Sequence, residues 1–185
     1  MSLTESTMLD LGTLAPEFDL TDVVTGDEVS LDHSRGKDAL LVMFICAHCP
    51  YVKHINEGLA ALGKDYAGKS IAIVAISSND AVTHPADNPA GLKQQAETFG
   101  FNFPYLYDES QAVAHAYKAA CTPDFFLFDS DYRLVYRGQF DASRPGNGIP
   151  VTGKDLRAAI DFILDGKPVP TEQLASIGCN IKWKS

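Results

Sequence analysis

Two short, almost entirely apolar runs flank a segment with helical spacing in the first half of the chain. Residues 39–45 and 70–77 are rich in large apolar side chains, which is typical of strands buried on both faces of a parallel sheet. Between them, Val52, Ile55 and Leu59 fall on one face of a helix. Strand, helix and strand in this order predict a parallel unit with a right-handed crossover.

The rest of the chain continues this alternation. The pattern predicts further strands at 103–107, after Pro123 and at 134–140, and helices at 91–99, 111–120 and 155–164. A turn at 129–131 makes the last two strands an antiparallel hairpin. We expect residues 1–11 to form an N-terminal arm and residues 166–185 an irregular C-terminal tail. The sequence therefore predicts an α/β fold in which helices flank a central mixed β-sheet.

Length, composition and charge limit the kind of protein. The chain has 185 residues, 45% of them hydrophobic and 21% charged, which fits a single domain over 1–185 with a sizeable core. The net charge of −9 argues against a nucleic-acid or anionic-membrane surface, so we expect neither partner. Residues 1–12 contain no secretory signal, and no apolar run approaches the ~20 residues that span a bilayer. We expect a cytoplasmic protein, in which structural disulfides are rare.

Two of the four cysteines stand where the first predicted strand gives way to a helix. Cys46 and Cys49 are three apart, and Pro50 suits a first helical turn. Because the N–H groups and dipole at a helix N-terminus stabilise a thiolate, this Cys-x-x-Cys indicates a redox-active dithiol. The alternative is half of a zinc site. Zinc usually takes two close pairs, whereas Cys121 and Cys179 are single and far apart.

Thiol–disulfide exchange gives each thiol of the pair a role. The reaction requires an exposed thiolate that attacks and a second thiol that resolves the mixed disulfide. We expect Cys46, at the start of the helix, to be the nucleophile with a lowered pKa. We expect Cys49, one turn into the helix, to be the more buried resolving thiol. His48 is expected to favour the Cys46 thiolate through its charge and a hydrogen bond.

The Cys-Ala-His-Cys stretch resembles the active site of the thioredoxin superfamily. Residues 12–20 (Gly-Thr-Leu-Ala-Pro-Glu-Phe-Asp-Leu) are similar to the opening motif of the AhpC/TSA, or redoxin, family. The resemblance implies a thioredoxin-like fold with an N-terminal β-hairpin extension, whose turn and returning strand residues 23–29 supply. It also implies an antioxidant thiol–disulfide oxidoreductase that acts on protein or low-molecular-weight disulfides. Such an enzyme needs no cofactor or metal, and a thioredoxin reductase-type system is the expected reducing partner.

A second segment, Cys121-Thr122-Pro123, resembles the loop that carries the cis-proline of this fold and faces the dithiol. The resemblance implies a cis Thr122–Pro123 bond. Since neighbouring side chains of an extended backbone point to opposite faces, Cys121 would then point away as a small buried thiol. The alternative is a third redox thiol, alone or together with Cys179. Arg137 resembles an arginine that the family places near the cysteine, and its alternative is a surface side chain.

Two other functions stay open. Peroxiredoxins carry Pro-x-x-x-Thr/Ser-x-x-Cys, but counting back from Cys46 reaches Met43 and Ala39, and counting from Cys49 also finds no match. The pattern therefore disfavours a peroxidase. Two soft thiolates beside His48 could instead hold Cu(I). Sco-type copper chaperones share the fold, but their Cys-x-x-x-Cys-Pro motif has one more residue between the cysteines.

Overall fold

A five-stranded mixed sheet lies at the centre of the molecule, in a computed structural model that describes residues 2–185. The strands are β1 (Leu3–Glu5), β2 (Asp19–Thr21), β3 (Glu28–Ser30), β4 (Ala39–Phe44), β5 (Ile71–Ser77), β6 (Tyr105–Tyr107), β7 (Cys121–Thr122), β8 (Asp124–Asp129), β9 (Leu134–Gly138) and β10 (Ile177–Asn180). The central sheet has the order β6-β5-β4-β8-β9. β4, β5 and β6 are parallel, whereas β8 and β9 are antiparallel to their neighbours. The predicted mixed sheet is thus confirmed.

Four helices cover the sheet. They are α1 (Pro50–Asp65), α2 (Pro89–Phe99), α3 (Ala112–Ala116) and α4 (Lys154–Leu164). Apolar side chains of α1, α2 and α4, among them Leu59, Leu92 and Leu156, pack on the face that Leu41 and Met43 of β4 present. α3 belongs to the cluster on the opposite face. None of the helices within residues 2–185 is long and apolar enough to cross a membrane.

Two helices, α2 and α3, differ most from the prediction, and local backbone features explain both differences. α2 begins two residues early, because the Asn88 side chain accepts the N–H of Gly91 at 2.8 Å and Pro89 occupies the first turn. α3 is much shorter than 111–120. Gln111 and Lys118 have φ angles of 66° and 51°, in the left-handed region that interrupts a helix.

The predicted N-terminal hairpin is present, and the two termini add a sheet that we did not predict. β2 and β3 pair antiparallel. β10 lies between β1 and β7, with Cys179 opposite both Leu3 and Thr122. The prediction of an irregular tail is therefore wrong at β10, and the N-terminal arm contains β1. Both strands are too short for a periodic signal, and their partners lie far away in the sequence.

Candidate active site

The dithiol lies in the loop between β4 and α1. The helix begins at Pro50, and Cys49 is its N-cap residue, with a carbonyl that accepts the N–H of Lys53 at 2.9 Å. Cys46 lies three residues earlier, outside the helix. The prediction that Cys46 stands at the helix start is thus wrong, because Cys49 holds the position nearest to the first-turn amides. Both sulfurs are buried, so the expected exposed Cys46 is also not observed.

Three thiols and a threonine meet in this buried site. The Sγ atoms of Cys49 and Cys179 lie 2.8 Å apart, and Cys49 Sγ is 3.3 Å from the carbonyl oxygen of Thr122. Cys46 Sγ is 3.5 Å from the Thr122 hydroxyl and 3.8 Å from His48 Nδ1. All four cysteines, Cys121 included, are reduced. The structure therefore brings Cys46, Cys49, His48 and Thr122 together, as predicted, and places Cys179, a candidate auxiliary thiol, beside Cys49.

The pKa values of the two thiols are shifted in opposite directions. The pKa of Cys49 is lowered to about 4, first by the hydrogen bond from the Cys46 thiol and then, against the cost of burial, by Cys179 and Thr122. Burial raises the pKa of Cys46 well above its usual range, and the pairing with Cys49 and the charge of Asp87 act in the same direction. The predicted lowering of the pKa at Cys46 is therefore wrong: burial raises it, and the lowered pKa of the pair lies at Cys49, first through the hydrogen bond between the two thiols.

A buried carboxylate anchors the loop that carries Cys46. Asp87 is fully buried and accepts the backbone N–H groups of Ala47 at 2.8 Å and His48 at 3.0 Å. Its other oxygen accepts the Asn79 amide at 2.9 Å and forms a close ion pair with His48 Nδ1. Burial opposes ionisation, but the hydrogen bonds from His48 and Asn79 keep the pKa of Asp87 below its usual value. Sequence reasoning missed Asp87; the only signal was the unusually long polar loop 78–88.

His48 is oriented by this loop as well as by Asp87. Its ring stacks on that of His84, with centroids 4.8 Å apart. The Nε2 atom of His48 is buried and has no hydrogen-bond partner among residues 2–185. Burial, followed by the neighbouring His48, lowers the pKa of His84. The ligand atoms of Cys46, His48 and Asp87 all lie within 4.8 Å of one another, so these three groups could also hold a metal ion.

The proline loop closes the other side of the site. The Thr122–Pro123 bond is cis, as the resemblance predicted. The Cys121 sulfur turns to the carbonyl oxygens of Pro123, at 3.6 Å, and Ser176, at 4.0 Å. Burial raises the pKa of Cys121 beyond the physiological range. Cys121 therefore has the environment of a packed, inert thiol.

Arg137 lies outside the dithiol site. Its Nε donates to the carbonyl oxygen of Leu9 at 2.7 Å, and its Nη1 donates to the Gln173 side chain at 2.8 Å. The prediction of an auxiliary role near Cys46 is thus wrong. β9 presents Arg137 to the N-terminal and C-terminal segments, where it joins the two.

Comparisons with known proteins agree with this geometry. The model of the AhpC/TSA family matches residues 11–137. The thiol-disulfide oxidoreductase ResA of Geobacillus kaustophilus (strain HTA426) is 31% identical over 131 residues, which cover 69% of this chain and 68% of that protein.

Solved structures extend the likeness to the whole chain. An uncharacterized conserved protein from Geobacillus kaustophilus is 55% identical, with a TM-score of 0.97 over 100% of this chain and 97% of its own. The thioredoxin domain of a thiol-disulfide oxidoreductase from Bacteroides vulgatus is 22% identical, with a TM-score of 0.59 over 70% of this chain and 88% of its own. At that identity the likeness concerns the fold alone, and it confirms the predicted thioredoxin-like architecture.

Proposed function

The chain belongs to the AhpC/TSA family, and we propose that it is a thiol–disulfide oxidoreductase whose exchanging pair is Cys46 and Cys49. The single observation that carries the proposal is the meeting of both thiols with the proline loop: Cys46 Sγ lies 3.5 Å from the Thr122 hydroxyl and Cys49 Sγ 3.3 Å from the Thr122 carbonyl oxygen. The pKa of Cys49 is lowered to about 4, first by the thiol of Cys46. A thiolate held beside a second thiol, next to the Thr122 hydroxyl, is the arrangement that exchange requires.

The first step is a proton shift inside the pair. Cys49 is enclosed by Cys46, Thr122 and Cys179, whereas Cys46 neighbours His48, whose side chain is 16% exposed. Cys46 is therefore the thiol that a substrate meets first. Its S–H proton passes to the Cys49 thiolate along their hydrogen bond, and the resulting Cys46 thiolate becomes the nucleophile.

Two displacements then complete the exchange. Cys46 attacks one sulfur of the substrate disulfide, which forms a mixed disulfide and releases one substrate thiolate. Cys49 loses its proton to that thiolate and attacks the Cys46 sulfur, which releases the second substrate thiolate. The substrate disulfide gains two electrons, and the protein is left with a Cys46–Cys49 disulfide. The same steps in reverse oxidise a substrate dithiol.

The burial of the site limits how a substrate can reach it. Since both sulfurs have essentially no exposed surface, a substrate must displace part of the cover before Cys46 can attack. We propose protein or low-molecular-weight disulfides as substrates and a thioredoxin reductase-type system as the source of electrons. An antioxidant role and a cytoplasmic location belong to the same proposal. Fractionation of cells that produce the tagged full-length protein tests the location.

The test of the proposed function is Cys46-dependent turnover. Insulin reduction and the oxidation of reduced ribonuclease are measured for the wild-type protein, Cys46→Ser and Cys49→Ser. Cys121→Ala is the matched control, because Cys121 is a buried thiol whose sulfur contacts the carbonyl oxygens of Pro123 and Ser176. We expect both active-site variants to lose turnover and the control to keep it. Full turnover by Cys46→Ser, or rapid hydrogen peroxide consumption without activity in either assay, contradicts the proposal.

Metal delivery is a second candidate that one observation favours. The ligand atoms of Cys46, His48 and Asp87 converge within 4.8 Å, and thiolate with imidazole suits copper or zinc. Metal content after purification without a chelator, compared with the number of titratable thiols, separates the two functions. Stoichiometric metal that Cys46→Ser abolishes would favour delivery. A metal-free protein with four titratable thiols supports the exchange reaction.

A further inference from the structure

We propose that Cys179 is a third exchanging thiol, which takes Cys49 from the Cys46–Cys49 disulfide and forms a Cys49–Cys179 disulfide. The inference rests on the proposed function, because a substrate disulfide must first oxidise the pair. Its basis is the 2.8 Å distance between the Sγ atoms of Cys49 and Cys179. A disulfide bond is about 2.05 Å long, so the two sulfurs need to approach by only about 0.8 Å.

The backbone around Cys179 holds this sulfur in place. β10 is hydrogen-bonded on both sides, and Cys179 stands opposite Leu3 on β1 and Thr122 on β7. The preceding residue must be glycine, because a Cβ on Gly178 would lie 1.9 Å from the carbonyl oxygen of Thr122. That close approach brings the C-terminal strand against the proline loop. Cys179 is 2% exposed and its sulfur lies beside Cys49 Sγ, so a thiol inside the protein is the partner within its immediate reach.

Cys49 is the middle sulfur of the three. Its thiolate is stabilised by the thiols of both Cys46 and Cys179, so each outer thiol reaches it. After the first substrate has been reduced, Cys179 attacks Cys49, the Cys49–Cys179 bond forms and the Cys46–Cys49 bond breaks. The proton of Cys179 passes to the departing Cys46 sulfur. No electron leaves or enters the protein, so the step is an isomerisation that needs no further oxidant.

Oxidation of the pair itself prepares Cys179 for this attack. In the reduced protein the pKa of Cys179 is raised to about 12, first by burial and then by its hydrogen bond to the Cys49 thiolate and by the charge of that thiolate. When Cys49 enters a disulfide, its charge disappears and both of the latter causes disappear with it. The nearby cation of Lys182 continues to lower the pKa. Cys179 therefore becomes a better nucleophile at the moment when a disulfide is present to attack.

The consequence concerns the fate of Cys46. With Cys49 tied to Cys179, Cys46 is again a thiol, although the protein still holds one disulfide. A substrate that now forms a mixed disulfide with Cys46 is not released by Cys49, so the mixed disulfide lasts longer. That state favours rearrangement of substrate disulfides over their net reduction. Cys179 would thus set the balance between isomerase and reductase activity of the same pair.

The experiment maps disulfides in the oxidised full-length protein. Wild-type protein is oxidised with excess glutathione disulfide, quenched with acid, alkylated and digested without reduction. Cys179→Ala and Cys121→Ala are treated in parallel, and thermal melting checks that each is folded. We expect wild type and Cys121→Ala to contain a Cys49–Cys179 disulfide with an alkylated Cys46. We expect only the Cys46–Cys49 disulfide in Cys179→Ala.

The outcomes separate the inference from the proposed function. If oxidised wild type contains no more Cys49–Cys179 disulfide than the Cys179→Ala background and all of its disulfide joins Cys46 to Cys49, the inference is overturned and the proposed function stands. If the Cys49–Cys179 disulfide forms while Cys46-dependent turnover is absent, the pairing stands and the proposed function falls. The primary result comes from the wild-type protein, so the test remains decisive even if Cys179→Ala is unstable.

Discussion

The surroundings of Cys46 and Cys49 differ sharply. The two residues stand only three positions apart in the sequence, and neither has exposed surface. Cys46 lies in a loop that the Asp87 carboxylate anchors, so a negative charge is its neighbour. Cys49 caps α1 and is surrounded by the thiols of Cys46 and Cys179. The comparison teaches that burial of Cys46, its neighbouring carboxylate and the hydrogen bonds to Cys49 together decide which thiol of the pair is acidic.

The largest effect on stability and thiol acidity is expected for Asp87→Asn, which removes the negative charge of the carboxylate near Cys46. The variant removes the carboxylate beside His48 Nδ1 and replaces an acceptor of the Ala47 and His48 amides, so stability should fall by about 2–4 kcal/mol. At the same time the pKa of Cys46 should fall, because a neighbouring negative charge is gone. Denaturant unfolding and a thiol titration of the same sample measure both effects.

Asp80→Asn is the matched control for Asp87→Asn. Asp80 lies in the same polar loop and accepts hydrogen bonds from Val82 and Thr83, away from both active-site sulfurs. We expect this control to leave the Cys46 pKa unchanged. A loss of stability in Asp87→Asn without any change in thiol acidity would show that Asp87 is structural. It would contradict the claim that the Asp87 charge raises the pKa of Cys46.

The surroundings of the two thiols also explain which features of the site could be predicted from the sequence. The buried run 39–45 and the helical spacing after it predict β4, α1 and the place of the dithiol, because these signals are local. The environment of each sulfur depends instead on contacts across the sequence. Asp87 reaches Cys46 through the fold of a long loop, and Cys179 reaches Cys49 through pairing of a four-residue strand. Neither contact has a periodic pattern, so the shifted charge could not be predicted.

The pH dependence of the reduction potential sharpens the comparison further. With the pKa of Cys49 at about 4 and that of Cys46 raised, the reduced pair carries one proton between pH 5 and 8. Reduction then takes up one proton for two electrons, so the potential should fall by about 30 mV per pH unit. Two protonated thiols would give about 59 mV per pH unit. Equilibration with glutathione buffers at several pH values measures the slope, and a value near the larger figure contradicts the assignment.

The smallest effect is expected for His48→Ala. The imidazole faces Asp87 with Nδ1 and lies 3.8 Å from the Cys46 sulfur, so it offsets the carboxylate charge there. Removing it should raise the pKa of Cys46, opposite in sign to Asp87→Asn. The rate of iodoacetamide alkylation against pH reports the shift. An unchanged profile would remove His48 from the electrostatics of the pair, and His84→Ala, which removes only the stacked neighbour, is the control.

The most direct test of a single charge held at Cys49 is titration of the thiolate by its ultraviolet absorbance in reduced variants. The lowered pKa at Cys49 means that its thiolate is present at neutral pH and is lost as the pH falls through about 4. We expect one acidic thiolate in the wild-type protein, its loss in Cys49→Ser, and its persistence in Cys46→Ala with a higher pKa, because the leading hydrogen bond is removed. An acidic thiolate that survives in Cys49→Ser and disappears in Cys46→Ala would contradict the account and place the charge on Cys46.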